Sequence, residues 1–237
     1  MSASAQTPTL IAVAHGSRRP TAQLEVRQLL RAMRAARPGL EVREAYIELA
    51  QPLLPDVLRS VPGAAVVVPL LLGNGYHIAH DVAGVTAAHR PGTMCAAALG
   101  PDALLVEALA QRLHAAEGDM PSDRVVLAAA GSSDRRAQAD AERSARLLAA
   151  RIGREVVPAY NTATRPAVVE TVAALRRAGH RRIGVASYLL WPGRFAAEVA
   201  ACGADVVTAP IGAHPALVDL VLRRYDAALS RSVIPVG

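Results

Sequence analysis

Three side chains in the first half of the sequence combine a chemically useful type with a telling position. His15 stands in an H-G-S turn directly after the apolar run TLIAVA. Glu48 closes a run that ends Y-I-E-L-A. His77 follows the run AAVVVPLLL, in G-N-G-Y-H. Imidazoles and carboxylates ligate divalent metals and exchange protons near neutrality. Each residue alone has an ordinary explanation, since a histidine after a strand commonly hydrogen-bonds within a loop and a glutamate at a strand end is commonly solvated. Their joint placement says more, because folding does not require all three. Gly16, Gly73 and Gly75 let the backbone turn sharply beside them and leave room above the strand ends.

The elements that must position these groups alternate in type. Residues 9–14 read as a strand, 21–37 as a helix with Leu24, Leu29, Leu30 and Met33 on one side, and 39–48 as a second strand. A short helix over 53–60 precedes a continuous apolar run over 64–72, as expected of a strand buried on both faces of a parallel sheet. A fourth strand is expected over 93–99 and a helix over 102–116. Open parallel sheets bind ligands at the carboxyl ends of their strands. Three consecutive strands would therefore deliver His15, Glu48 and His77 to one rim.

The pattern then restarts. RVVLAAAGSS matches TLIAVAHGS, EVVPAYNTATRP matches EVREAYIELAQP, RRIGVASYLLWPGRF matches AAVVVPLLLGNGYH, and the segment over 204–225 matches the one around 94–113. The offset stays within roughly 114–118 residues, as when one half-domain follows another. The expectation is an α/β fold of two similar domains, 1–118 and 119–237, each with a mainly parallel sheet flanked by helices, facing a central cleft. The second copy is an internal control. Ala130 stands opposite His15, Thr162 opposite Glu48 and Phe195 opposite His77, so the scaffold recurs while all three polar groups are replaced. One site, in the N-terminal half, is expected.

Composition narrows the function classes. The 237 residues are 52% hydrophobic and only 3% aromatic, so the core must be built from Ala, Val and Leu. The net charge is +6, and all 26 basic residues are arginine, which grips carboxylates and phosphates with two parallel hydrogen bonds. The arginines are scattered and aromatic residues are scarce, which speaks against nucleic acid. No apolar run reaches the ~18 residues of a membrane span. The polar N-terminus lacks a signal pattern, so a cytoplasmic protein is expected. Cys95 and Cys202 form no metal-binding pair and read as buried small residues.

H-G-S-R-R-P at His15, Y-I-E-L-A-Q-P, V-V-V-P-L-L-L-G-N-G-Y-H-I-A-H-D and L-G-P together resemble the sirohydrochlorin chelatases, which include ferrochelatases and cobaltochelatases. The likeness spans nearly the whole chain and implies two α/β domains around a cleft. It implies insertion of a divalent metal, Fe²⁺ or Co²⁺, into a tetrapyrrole, with no permanently bound cofactor. By motif, His15 and His77 would be the metal-binding and catalytic histidines and Glu48 the family's acidic position. The absence of a histidine-rich stretch or C-terminal cysteine cluster favours iron.

Imidazole suits these metals and can also take a proton at neutral pH. A site with few protein ligands keeps positions open for the incoming macrocycle. Sirohydrochlorin is a polycarboxylate, so Arg18, Arg19 and Arg194 are candidate contacts, and Tyr76 and Trp191 could flank the flat ring. His80 is a possible extra ligand and Asp81 a possible helix cap. His89, His114, His180 and His214 read as surface or structural. Two halves in one chain make a monomer sufficient. The alternatives are a cobaltochelatase, or a protein that binds tetrapyrrole or metal without turnover. A phosphoryl-transfer histidine has no phosphate-binding loop to support it.

Overall fold

The run TLIAVA forms strand β1 (Thr9–Ala14), and every residue of it is buried. A strand with no polar face belongs inside a covered sheet. β1 lies between β2 (Val42–Tyr46) and β3 (Ala65–Pro69) in a parallel sheet of order β2-β1-β3-β4, with β4 reduced to Met94–Cys95. Register pairs Ala14 with Tyr46 and Val13 with Pro69, so the three strands finish side by side. The chain leaves β1 outward to β2 and returns on the other side as β3. The reversal falls between the ends of β1 and β3, where open sheets bind ligands. The structure is a computed structural model and describes residues 7–73, 82–162 and 164–232.

Helix α1 (Pro20–Ala36) starts with proline in its first turn, where the missing N–H costs nothing. Its buried stripe is Ala22, Val26, Leu29, Leu30 and Met33. Leu24, expected on this stripe, is instead exposed. At about 100° per residue it lies roughly 200° from Ala22 and from Val26. The Arg34 guanidinium donates to the Val42 carbonyl and so covers part of the free edge of β2. α2 (Leu54–Ser60) and α3 (Ala83–His89) complete the connections.

The second sheet repeats the first. β5 (Arg124–Ala129), β6 (Val156–Tyr160), β7 (Ile183–Tyr188) and β8 (Val206–Val207) pair in parallel in the order β6-β5-β7-β8, with α5 (Arg135–Ile152), α6 (Val168–Arg177) and α7 (Arg194–Ala200) between them. The two cores are alike. Ile11, Val13, Leu54, Val57, Leu58 and Val67 fill one, and Val126, Ala128, Val168, Val172, Ile183 and Val185 fill the other. Small aliphatics pack both, as the scarcity of aromatics demands. Cys202 is buried as expected, but Cys95 is only half-buried, because β4 is a short edge strand.

By contacts the chain divides into two compact units, Met1–Leu99 with Val218–Gly237, and Gly100–Leu217. The helix that closes each sequence repeat thus serves the other repeat's sheet. α4 (Ala103–Glu117) packs on α5, β7 and β8 in the second unit. Most of α8 (Pro215–Ser232) belongs to the first unit. There Arg224 donates to the carbonyls of Ala98 and Leu99, the Tyr225 hydroxyl donates to the Pro8 carbonyl, and Arg37 grips Asp226 at 2.6 and 2.7 Å.

In the second unit a buried carboxylate, Glu117, carries an ion pair. Arg154 forks onto Glu117 at 2.7 and 2.8 Å, and the Ser122 amide donates to the same carboxylate. Burial pushes the Glu117 carboxyl upward, but the arginine and the serine outweigh it and hold it below the ordinary carboxylate value. No helix among the described residues is long and apolar enough to cross a membrane.

Candidate active site

Two loops meet at the carboxyl end of the first sheet. The first leaves β1 as His15-Gly16. The second continues β2 past its last paired residue. Ile47 N–H donates to the Ala14 carbonyl and Glu48 N–H to the His15 carbonyl, each at 3.0 Å, so the ladder runs on beyond the strand. Glu48 therefore lies past the end of β2, which stops at Tyr46. The chain then folds back sharply. Ala50 N–H donates to the Glu48 carbonyl at 2.8 Å, Leu49 between them has φ +61°, and Tyr46 N–H donates to the Pro52 carbonyl at 3.0 Å, closing the loop.

Gly16 shows why the turn after His15 needs glycine. Its φ is +106°, and a Cβ there would lie 1.7 Å from the Glu48 carbonyl oxygen. The missing side chain is the space into which the second loop docks. This packing carries the imidazole and the carboxylate to the same place. His15 Nε2 and Glu48 Oε1 are 3.7 Å apart, with about half of each side chain exposed, 47% and 56%. Two ligands bound at about 2.1 Å to one ion lie about 3.0–3.4 Å apart. A few tenths of an ångström of side-chain rotation would let this pair share a metal. The same pair can move a proton between a nitrogen and an oxygen.

The second unit has the same backbone and different chemistry. Asn161 N–H donates to the Ala129 carbonyl and Thr162 N–H to the Ala130 carbonyl, each at 3.0 Å, and Thr164 N–H closes on the Thr162 carbonyl at 2.7 Å. Gly131, at φ +93°, presses on the Thr162 carbonyl as Gly16 does on Glu48. Here, however, the Thr162 hydroxyl turns onto the Ala130 carbonyl at 2.9 Å, and the Thr164 hydroxyl onto the Ser132 carbonyl at 2.6 Å. The side chains of this copy serve its own backbone. Glu48 instead points its carboxylate at His15.

Of the other expected site residues, His77 and Tyr76 lie outside the described residues, as do His80 and Asp81. Arg18 and Arg19 are exposed beside His15, and neither makes an ion pair among the described residues. The Arg19 amide donates to the Ser17 hydroxyl at 3.1 Å, which sets the start of α1. Arg194 belongs to the second unit, paired with Glu198 at 2.8 Å and stacked over the Phe195 ring at 5.7 Å. His214 is structural, as expected. Its ring accepts from the Ala216 amide at the start of α8 and meets Gln111 at 3.1 Å.

A groove of about 640 Å³ lies along the edge of β2, with Arg27, Arg31, Arg34 and Arg43 in its walls. It sits away from the strand ends. Three of its arginines are already engaged, Arg27 by Glu44, Arg43 by Glu41 and Arg34 by Val42. Among the described residues no cluster of three or more His, Cys, Asp or Glu side chains could hold a metal. The His15–Glu48 pair supplies two donors. The turn at Leu49 had no sequence signal, since neither glycine nor asparagine marks it.

The family model CbiX matches the chain twice, over residues 9–116 and 124–228, in keeping with the internal repeat. The sirohydrochlorin ferrochelatase of Bacillus subtilis (strain 168) is 29% identical over 201 residues, spanning 80% of this chain and 77% of that protein. The structure of SirB from Bacillus subtilis with Fe³⁺ superposes with a TM-score of 0.81 at 25% identity, covering 95% of this chain and 96% of SirB. The sirohydrochlorin chelatase SirB from Bacillus subtilis subspecies spizizenii in complex with cobalt gives a TM-score of 0.78 at 25% identity, over 94% and 96% of the two chains.

Proposed function

The chain belongs to the CbiX family, and from that premise we propose that it is a sirohydrochlorin chelatase, inserting Fe²⁺ into the tetrapyrrole to make siroheme. The observation that carries this reading is the His15–Glu48 pair, held at 3.7 Å by two interlocked loops at the strand ends and open to solvent. The proposed metal-binding and catalytic residues belong to repeat 1–118, and repeat 119–237 lacks them.

The reaction exchanges M²⁺ for two pyrrole N–H protons. His15 and His77 hold the metal through neutral imidazole nitrogens, which suit Fe²⁺ and Co²⁺ alike. So few protein ligands leave coordination positions for the pyrrole nitrogens. Glu48, a carboxylate close to the metal-bearing histidine and open to solvent, takes the two ring protons one at a time and passes each to water. Arg18 and Arg19, exposed beside His15, meet the substrate's carboxylates. Tyr76 and Arg194 are further proposed contacts to the tetrapyrrole. The metal is a substrate rather than a resident cofactor, and the enzyme works as a monomer in the cytoplasm.

A cobaltochelatase is the second reading. It is favoured by the cobalt complex of the similar subspecies spizizenii enzyme, and by a nitrogen-and-oxygen donor set that does not separate the two metals. Metal-free sirohydrochlorin, incubated anaerobically with Fe²⁺, Co²⁺ or Ni²⁺, separates these readings by the absorbance change on insertion. Fe²⁺ insertion well above the uncatalysed rate, lost about 10²-fold in His77→Ala, is expected. Faster turnover with Co²⁺ would move the assignment to cobalt. Stoichiometric tetrapyrrole binding without acceleration would reduce the protein to a carrier.

A further inference from the structure

Leu49 is, among the described residues, the single non-glycine position with positive φ. Two features make a leucine there unfavourable for folding alone. A γ-turn with φ +61° places Cβ close to its own carbonyl, a conformation that glycine and asparagine adopt far more readily. The side chain is also 47% exposed, so much of its apolar surface remains in water.

The turn does not need this leucine. In the second unit the same closure joins Thr164 N–H to the Thr162 carbonyl, and the residue between them in sequence is Ala163. The leucine is therefore absent from the repeat that also lacks the histidine and the glutamate. Nor can Leu49 swing freely. Its turn is held by the Glu48-to-His15, Ala50-to-Glu48 and Tyr46-to-Pro52 backbone hydrogen bonds. A fixed apolar group thus stands next in sequence to the carboxylate that faces His15.

We propose that Leu49 is a substrate-binding residue, its isobutyl group resting against the apolar face of the tetrapyrrole while His15 and Glu48 address the metal and the ring nitrogens. This deepens the chelatase reading and rests on it. A conjugated macrocycle is charged at its rim and apolar over its centre. The imidazole, the carboxylate and the arginines around His15 give that centre no apolar partner. Ligand sites commonly combine apolar contact with a few placed polar groups.

The test is steady-state Co²⁺ insertion into sirohydrochlorin, with melting temperatures, for wild type, Leu49→Gly, Leu49→Asn, Leu49→Met and His15→Ala. Both glycine and asparagine fit the backbone. The expected result is a five- to tenfold rise in KM for sirohydrochlorin in Leu49→Gly and Leu49→Asn, kcat within twofold of wild type, and melting temperatures at or above wild type. Leu49→Met, which keeps apolar reach, stays near the wild-type KM. An unchanged KM in the glycine and asparagine variants would overturn the proposal. So would a fall of several degrees in their melting temperature, which would make the leucine a structural residue. If the chelatase reading itself were wrong, wild type would fail to accelerate insertion or His15→Ala would match it.

Discussion

Replacing Gly16 by alanine separates what the loop packing does for stability from what it does for chemistry. The new Cβ would start 1.7 Å from the Glu48 carbonyl oxygen, whereas real Cβ contacts stay beyond 3.0 Å. The clash is with backbone rather than with a movable side chain, so the loops must part by about 1.3 Å. Alanine at φ +106° adds about 1–2 kcal/mol of conformational strain. Losing the Glu48-to-His15 backbone bond adds about 1 kcal/mol. A total of about 3 kcal/mol lowers the melting temperature by about 6–12 °C.

Gly131→Ala is the matched control. Its Cβ would lie 1.9 Å from the Thr162 carbonyl oxygen, at φ +93°, so its stability loss is similar. The chemistry differs. In Gly16→Ala the displaced loop carries His15 away from Glu48, and a misplacement of about 1 Å costs about 10²-fold in rate. In Gly131→Ala neither His15 nor Glu48 lies in the loop that moves. Thermal unfolding followed by circular dichroism, with insertion kinetics at a temperature where both variants are folded, makes the comparison. Equal activity in the two variants, at equal folded fraction, would refute the link between the Gly16–Glu48 contact and catalysis.

Two further outcomes follow from packing. The Glu117 carboxyl is held below its ordinary value in the folded state, so its stabilising effect is complete above about pH 4.5. It is lost as the pH falls through the lowered folded value. Glu117→Gln leaves the partly exposed Arg154 without its counter-charge and should cost about 2 kcal/mol near neutrality. The variant should also flatten the acid limb of a plot of melting temperature against pH. An unchanged acid limb would contradict this. Arg224→Met removes the donors to the Ala98 and Leu99 carbonyls and should destabilise by about 2 kcal/mol, read by urea denaturation. An unchanged midpoint would show that the Arg224 bonds contribute nothing to holding α8 on the first unit.

Much of the fold was legible because its signals are local and repeated. Apolar runs such as TLIAVA and AAVVVPLLL, short and bounded by turns, suit a doubly covered strand, and the recurrence at a nearly constant offset announced a second copy. The pairing of His15 with Glu48 could be anticipated because each follows a strand in one parallel sheet. Other features depend on tertiary contact and left no periodic trace. The exchange of α4 and α8 between the units turns on which sheet each helix buries against, and a repeat pattern carries no information about that. The docking of Gly16 onto the Glu48 carbonyl was invisible for the same reason. A glycine after a histidine signals a turn, but not what fills the space its side chain would take. Leu49 misleads more directly, since its residue type opposes its backbone conformation. Leu24 failed on simple helical geometry, because it falls on the face opposite Ala22 and Val26.

The most direct measurement is a double-mutant cycle on sirohydrochlorin insertion with His15→Ala, Glu48→Gln and the two combined, scored by kcat/KM. If the imidazole and the carboxylate act on one metal and one set of ring protons, each single change lowers kcat/KM by about 10²-fold or more, and the double variant loses far less than the product of the two. Wild-type kcat/KM in His15→Ala, or fully independent losses in the double variant, would contradict a shared site at the end of β1 and β2.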